Sequence, residues 1–415
     1  MKPLDKYSIG IGDRFGHQGS AQLAAVIEAR KHHIHITPVW NKSFREHQII
    51  GTRPGETRSE ADKAVLAQGW TGDYFVDADH INMSNVDHFI EPCDFFTIDV
   101  ADAIGREGSP EILSAFCDNL SGLAGEISVP GIDTPFHVTE KTIRDAASRY
   151  AAAIGEAGRI YHHLCKYKTG PFAVEVSMDE TDIPQSPVEL LLILKAVSDA
   201  GIEAQTVAPR FSGRFNKGVD YAGEVSRFAG EFMADMAVIE YARKAFHLPD
   251  TLKLSVHSGS DKFSIYPAMR EAMRTFDAGI HLKTAGTTWL EEMIGLAEAG
   301  GEGLQMARTI YVTAFERRSE LEGPYAPVID IDPAMLPEPS EIRGWDSRSF
   351  VAALRHDPGN PSYNPHFRQL LHIGYKVAAE MKDRFYPALD RYSDIIAQNV
   401  TENLFKRHIK PLFTG

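Results

Sequence analysis

Histidines and carboxylates at the ends of short apolar runs mark where this 415-residue chain could do chemistry. One run leads into Asp77-Ala78-Asp79-His80. A second contains Glu175 and is followed by Asp179 and Glu180. A third leads into His257-Ser258-Gly259-Ser260-Asp261-Lys262, and a fourth contains His281 and Lys283. Two earlier runs end in Asp13-Arg14 and Asn41-Lys42. Two imidazoles and a carboxylate suit a divalent metal cation (Zn, Mn, Co, Ni or Fe) and leave positions open for substrate oxygens. A cation so held polarises a carbonyl and the hydroxyl beside it. This reading gives His80 and His257 to the metal and leaves Asp79 and Glu180 to move protons. Arg14, Lys42, Arg210, Lys217 and Lys283 are the cations available for an anionic end of the substrate, with Ser258 as a further substrate contact.

Each of these signals has a plainer explanation. A lone His at a strand end is more often a hydrogen-bonded structural residue than a ligand. Asp-x-Asp after a strand is as often a helix cap, and Lys283 could pair with a neighbouring carboxylate. What the plainer explanations do not require is the gathering of all these residues at one rim.

That rim needs strands to build it. Short β-rich runs fall at 7–12, 35–40, 73–77, 95–100, 172–177, 203–208, 251–256 and 279–283, several of them apolar on both faces, as parallel strands covered by helices are. Helical patterns lie between them, for example at 20–33, 57–69, 186–201, 220–246 and 264–279. Eight such alternations predict an α/β fold, a (β/α)8 barrel of the TIM type, whose active site lies where the strands end. The barrel is expected over 1–300, with an inserted segment at about 101–170 placed as a wall or lid over the active face. Residues 301–415 read as a helical C-terminal extension packed on the barrel, as a cap or a surface for a homo-oligomer. An open doubly wound sheet is disfavoured because no strand is followed by G-x-G-x-x-G opening a helix.

Composition narrows the partners. The net charge of −14 leaves no concentrated basic face for nucleic acid or an anionic membrane. No run of 18 apolar residues occurs, and MKPLDKYSIGIGDRFG has no signal-peptide core. Cys93, Cys117 and Cys165 share no ligand spacing and read as reduced thiols, so a cytoplasmic protein acting on a small molecule is expected.

Asp79-His80, and His257 followed by its Gly/Ser-rich loop, resemble the class II metal-dependent aldolases, where such a His binds zinc and such an Asp handles the proton. The chain departs from that pattern after the sixth strand, where APRFSGRFNKGVDYAGE contains no His. A carboxylate must then complete the metal site: Glu224 is the first choice, with Asp220 and Glu175 behind it and His281 a further alternative. The blocks YSIGIGDRFGHQGSAQL, FVDADHI, FNKGVDYAGE, KLSVHSGSDKFSIYP and HLKTAGTTWLE resemble the tagaturonate/fructuronate epimerase family more closely and over most of the chain. That resemblance implies a divalent-metal barrel that interconverts two ketohexuronates, with related ketohexoses as alternative substrates. The competing expectations are an aldolase or sugar isomerase acting on a similar keto sugar acid, and a non-catalytic sugar-acid sensor.

Overall fold

The computed structural model describes residues 2–258 and 260–414. Gly259, in the loop after His257, lies outside the described residues. Eight parallel strands close on themselves: β1 (Tyr7–Ile11), β2 (Thr37–Ser43), β3 (Phe75–Ile81), β4 (Phe95–Asp99), β5 (Ala173–Ser177), β6 (Thr206–Ala208), β7 (Lys253–His257) and β8 (Ile280–Lys283). The ring is closed by Tyr7 and Ile9 of β1 pairing with Ile280 and Leu282 of β8. Every expected strand is present. β2 and β3 run further toward the mouth than their apolar runs suggested, so Asn41, Lys42 and Asp79 lie within strands and not after them.

Alternation along these strands separates two environments. Ile9, Val76, Ala78, Phe96, Ile98, Val174, Val176, Leu254, Ile280 and Leu282 are buried against the surrounding helices. The inward positions begin with a small apolar layer of Leu4, Val39, Phe75, Phe95 and Ala173. Above that layer the inward residues are Asp77, Thr97, Glu175, Thr206 and Lys283, all buried and polar. A barrel of this size normally fills its lumen with branched apolar side chains. Charged groups in that place are a structural cost that points to use.

The segment between β4 and β5 contains a helix at Pro110–Leu120, a two-stranded hairpin pairing Gly125–Ile127 with Phe136–Val138, and a 28-residue helix at Glu140–Tyr167. Phe116, Leu120, Val129, Phe136 and Val138 join the strand–helix core, and Gly131 packs against Phe276 and Ala237. The insertion is thus fastened to the barrel's flank through its apolar residues.

The C-terminal helices form a second core, and the expected boundary near 300 does not divide it. Helix Thr288–Ala299 contributes Trp289, Leu290, Met293 and Ile294 to this cluster, together with Phe15 and Ile50 from the barrel loops. The chain end returns Leu404, Phe405, Ile409 and Leu412 to the barrel core. The polar lock between the two cores is Asp261. Its buried carboxylate accepts hydrogen bonds from Arg368 Nη2 at 2.7 Å, His356 Nδ1 at 3.0 Å and His408 Nε2 at 3.1 Å. Arg368 also donates to the carbonyls of Leu354 and Gly218. No helix among the described residues is long and apolar enough to cross a membrane.

Removing one partner of a buried, hydrogen-bonded ion pair strands the other charge. Arg368→Leu is therefore expected to destabilise the protein by about 3–5 kcal/mol in urea unfolding. A loss below about 1 kcal/mol would show that Asp261 does not depend on this partner.

Candidate active site

Residues 77, 79 and 175 point into the lumen by alternation, and Lys283 enters from β8 on the same level. Its ammonium lies 3.0 Å from Asp77 Oδ2, 2.8 Å from Asp79 Oδ1 and 3.3 Å from Glu175 Oε1, and it also donates to the Thr97 hydroxyl. Burial opposes the charge on Lys283, but these three carboxylates outweigh it and hold its pKa well above the usual lysine range. Glu175 is fixed from four sides: by Lys283, by Thr206 Oγ1 at 2.7 Å, by Thr97 Oγ1 at 3.3 Å and by His257 Nε2 at 2.7 Å.

Above this floor the two histidines meet. In a regular strand Asp79 and His80 would face opposite sides. The register of β3 against β4 shifts between Ala78 and Ile81, and His80 takes a φ of +53°, so the bulge turns His80 toward the mouth as well. The rings of His80 and His257 stand nearly perpendicular, with centroids 5.2 Å apart. His257 Nδ1 lies 3.0 Å from Asp179 Oδ1, while His80 lies 3.4 Å from Asp99 Oδ2 and 3.6 Å from Asp79 Oδ1. Burial would lower both imidazole pKa values. Asp79, then Asp99, instead bring His80 to about 10, and Asp179 and Glu175 bring His257 to about 9. Burial likewise favours neutral carboxyls, yet Lys283 holds Asp79 and His257 holds Asp179 below the normal aspartate range.

One ligand atom from each of His80, Asp179 and His257 falls within 4.8 Å of the others, and His80, Asp99 and Glu180 form a second such group. His257 suits a metal in a further respect. Glu175 takes its Nε2–H, which leaves Nδ1 directed at Asp179 without a well-aligned hydrogen bond. A carboxylate behind a ligating imidazole fixes its tautomer and raises its basicity. Two nitrogens and a carboxylate oxygen so disposed fit a first-row divalent cation.

The structure brings together His80, His257, Asp79 and Lys283 as the sequence suggested, with Glu180 at the exposed mouth beside His80 and Asp99. It separates other residues from this centre. Glu224 is exposed at the start of helix Val225–Ala245 and accepts from the Ser226 hydroxyl, and it enters neither His-containing group. Asp220 is occupied by the backbone N–H and hydroxyl of Ser264, and His281 is bonded to Ser8 deep in the lumen. The carboxylate beside the imidazoles is Asp179, which stands where Glu224 is expected from the sequence. The Ser258 hydroxyl donates to the carbonyls of Lys283 and Thr284, so it braces the loop and is not offered to a substrate. Lys42 is paired in register with Ala78, not with Asp77 or Asp79, and so projects outward, where its charge bears on Glu60 and Glu292. Lys283 is neutralised by its three carboxylates. Arg14, Lys217 and Arg210 remain as cations near the mouth, the last donating through Nη1 to the Asp179 carbonyl at 3.3 Å. The sequence names Asp77 without a role and passes over Asp99 and Thr97, although the period-2 pattern of FFTID places Thr97 and Asp99 on the inward face.

The family model for tagaturonate epimerase matches residues 2–412. The tagaturonate/fructuronate epimerase of Thermotoga maritima is 28% identical over 428 aligned positions, covering 99% of this chain and 82% of that protein. The native crystal structure of the fructuronate-tagaturonate epimerase from Cohnella laeviribosi superposes with a TM-score of 0.81 at 23% identity, covering 99% of this chain and 82% of that one. A glycerol complex of the same enzyme gives the same TM-score. This chain belongs to the tagaturonate epimerase family and is an epimerase acting on sugar acids.

The two raised histidine pKa values set a pH dependence for protein stripped of metal. A pKa raised on folding adds stability that is complete below the unfolded value near 6.5 and is lost as pH rises through the folded value. Chelator-treated protein is thus expected to lose thermal stability progressively from about pH 6.5 to about pH 10. A flat melting profile over that range would contradict protonated imidazoles.

Proposed function

We propose that this protein interconverts tagaturonate and fructuronate at a divalent-metal site by breaking and remaking a carbon–carbon bond. The observation that carries this reading is the meeting of His80, His257 and Asp179 beside an Asp79 kept ionised by Lys283. His80, Asp179 and His257 would hold the cation, with Asp99 and Glu180 next to His80. When bound, such a cation supplies Lewis acidity to the ketone and its neighbouring hydroxyl.

The chemistry then follows from the position of the inverted carbon. It lies β to the ketone, so its C–H is not acidified as an α C–H is, and simple enolisation cannot invert it. A retro-aldol step can. Asp79 removes the proton of the β-hydroxyl, the bond between the α and β carbons breaks, and the ketone fragment is left as an enediolate. The hydroxyl carbon becomes an aldehyde, which turns to present its other face. The α–β bond then reforms, and the new alkoxide takes a proton. Asp79 is available for the base role because Lys283 keeps its partly buried carboxylate ionised, although the same pairing lowers its basicity. Glu180, exposed at the mouth near His80, is the group proposed to exchange the proton on the other side of the turning aldehyde. Each such proton-transfer residue contributes about 10²–10⁴ in rate.

Two measurements test this. Metal-loaded protein incubated with fructuronate, tagaturonate, fructose and tagatose and followed by NMR should interconvert the two uronates. In deuterated water no deuterium should enter at the inverted carbon, because its C–H bond is never broken. Exchange at that carbon would replace the retro-aldol path with deprotonation. Asp79→Asn should lower kcat by about 10²–10⁴ with metal content unchanged. Near-normal turnover by both Asp79→Asn and Glu180→Gln would remove the role assignment.

A further inference from the structure

We propose that the C-terminal extension completes an anion subsite at the barrel mouth, in which Arg14, Lys217 and His372 seat the carboxylate of the substrate. This rests on the reading that the site handles ketohexuronates.

Arg14, in the loop after β1, is oriented from two sides. Its Nε donates to Glu46 Oε1 at 3.1 Å, and its guanidinium lies 4.3 Å from the centre of the Tyr375 ring. Glu46 is itself fixed, since its other oxygen accepts from the backbone N–H of Ser43 at the end of β2. The guanidinium plane is therefore set, while its two terminal nitrogens have no partner among the described residues. Such a fork matches a carboxylate through two parallel hydrogen bonds.

Lys217 approaches from the turn after β6. Its backbone N–H donates to Val328 O of the extension at 2.8 Å, but its half-buried ammonium has neither a hydrogen bond nor an ion pair among the described residues. His372, on helix Pro365–Ile373 of the extension, is 3% exposed and its Nδ1 has no partner. Its ring packs on Gly218, next to Lys217: a Cβ added at Gly218 would sit 3.4 Å from both Cβ and Cδ2 of His372. Three residues further along the same stretch of chain, Tyr375 covers Arg14. The extension thus joins the β1 and β6 loops at one place.

The charge balance there runs against that of the whole chain. Burial is the largest influence keeping His372 neutral, and the nearby cations Arg14, Lys217, Arg368 and Lys262 add to it. Of these, Arg368 is matched by Asp261, and Lys262 is bound to the carbonyls of Asn216 and Val219. Lys217 and the outer edge of Arg14 are left without an anion in a protein of net charge −14. In the closed order of strands β1 stands four places from β5, so the loop that carries Arg14 lies on the opposite side of the ring from the loop that carries Asp179. A ketohexuronate has its carboxylate at the end of the chain away from the reacting carbons. It could then be held at both ends, and binding at the remote end can be drawn on at the reacting centre.

The test is titration calorimetry of metal-loaded protein with fructuronate and with fructose. The native protein should bind fructuronate more tightly. Lys217→Gln, a change at a half-exposed side chain that breaks no contact, should lower the fructuronate-to-fructose affinity ratio by about ten-fold or more, and Lys217→Arg should restore most of it. His372→Ala should shift the ratio in the same direction. Three results would overturn the subsite: no native preference for fructuronate, a ratio unmoved in Lys217→Gln, or tighter binding of fructose 6-phosphate than of fructuronate. A native protein that prefers fructuronate but converts none of the sugars would remove the epimerase mechanism and leave the subsite standing. Uronate conversion with an unmoved ratio would do the reverse.

Discussion

The ammonium of Lys283 sets the terms for the rest of the site. A charge in the lumen of a closed barrel is tolerated only when opposite charge and hydrogen bonds surround it. Here Asp77, Asp79 and Glu175 meet that requirement from two other strands. The consequence reaches outward. Glu175, held by Lys283 and Thr206, is in turn the group that orients His257, and Asp79, held by Lys283, stands beside His80. One buried cation therefore fixes the direction of a histidine and the ionisation of the proposed base. The price is a lumen that contributes little apolar burial, and the apolar outer faces of the strands supply most of it.

The same logic recurs at Asp261, with the opposite sign. There a single carboxylate collects an arginine and two imidazoles from the C-terminal extension, and it lies four residues after His257. The loop that carries His257 is thus anchored from its far end by chain more than ninety residues downstream. This is why the extension cannot be treated as an appendage: it shares a core with the last barrel helix, and its polar residues close around a barrel loop.

Much of this was legible in the sequence, and the failures have physical reasons. All eight strands were visible because parallel strands covered by helices are apolar runs, and the meeting of His80 with His257 followed from their places at strand ends. What strand ends do not reveal is direction. Lys42 and Asn41 are neighbours in sequence, yet only Asn41 faces the lumen, where it bonds Thr284. Applied to FFTID, the period-2 rule would have found Asp99; applied to TPVWNKS, it would have discarded Lys42. Applied to β3, the same rule would have wrongly turned His80 outward, because a bulge there reverses it. Glu224 is the sequence's choice because the sixth strand lacks a His, but the carboxylate that stands beside the two imidazoles is Asp179, from the fifth strand's loop, which the sequence names without a role. His372 was illegible for another reason. Nothing in a helix of the extension announces that it will be folded back over the mouth of a barrel whose first strand lies more than 350 residues earlier.

That folding back bears on the chemistry proposed. An aldolase must release its aldehyde, whereas an epimerase that cleaves the same bond must keep the aldehyde close, let it turn through about half a rotation and return it to the enediolate. Retention needs walls on the side where a product would leave, and a hold on the fragment that does not hinder its turning. A carboxylate clamped at the terminal carbon meets both needs, since single bonds between it and the aldehyde carbon still allow the carbonyl to exchange faces. In this protein the groups fit for such a clamp come from the loops after β1 and β6, and the wall behind them comes from the extension. The feature that distinguishes this barrel from a plain eight-fold repeat thus stands where bond-breaking epimerisation and aldol cleavage make different demands.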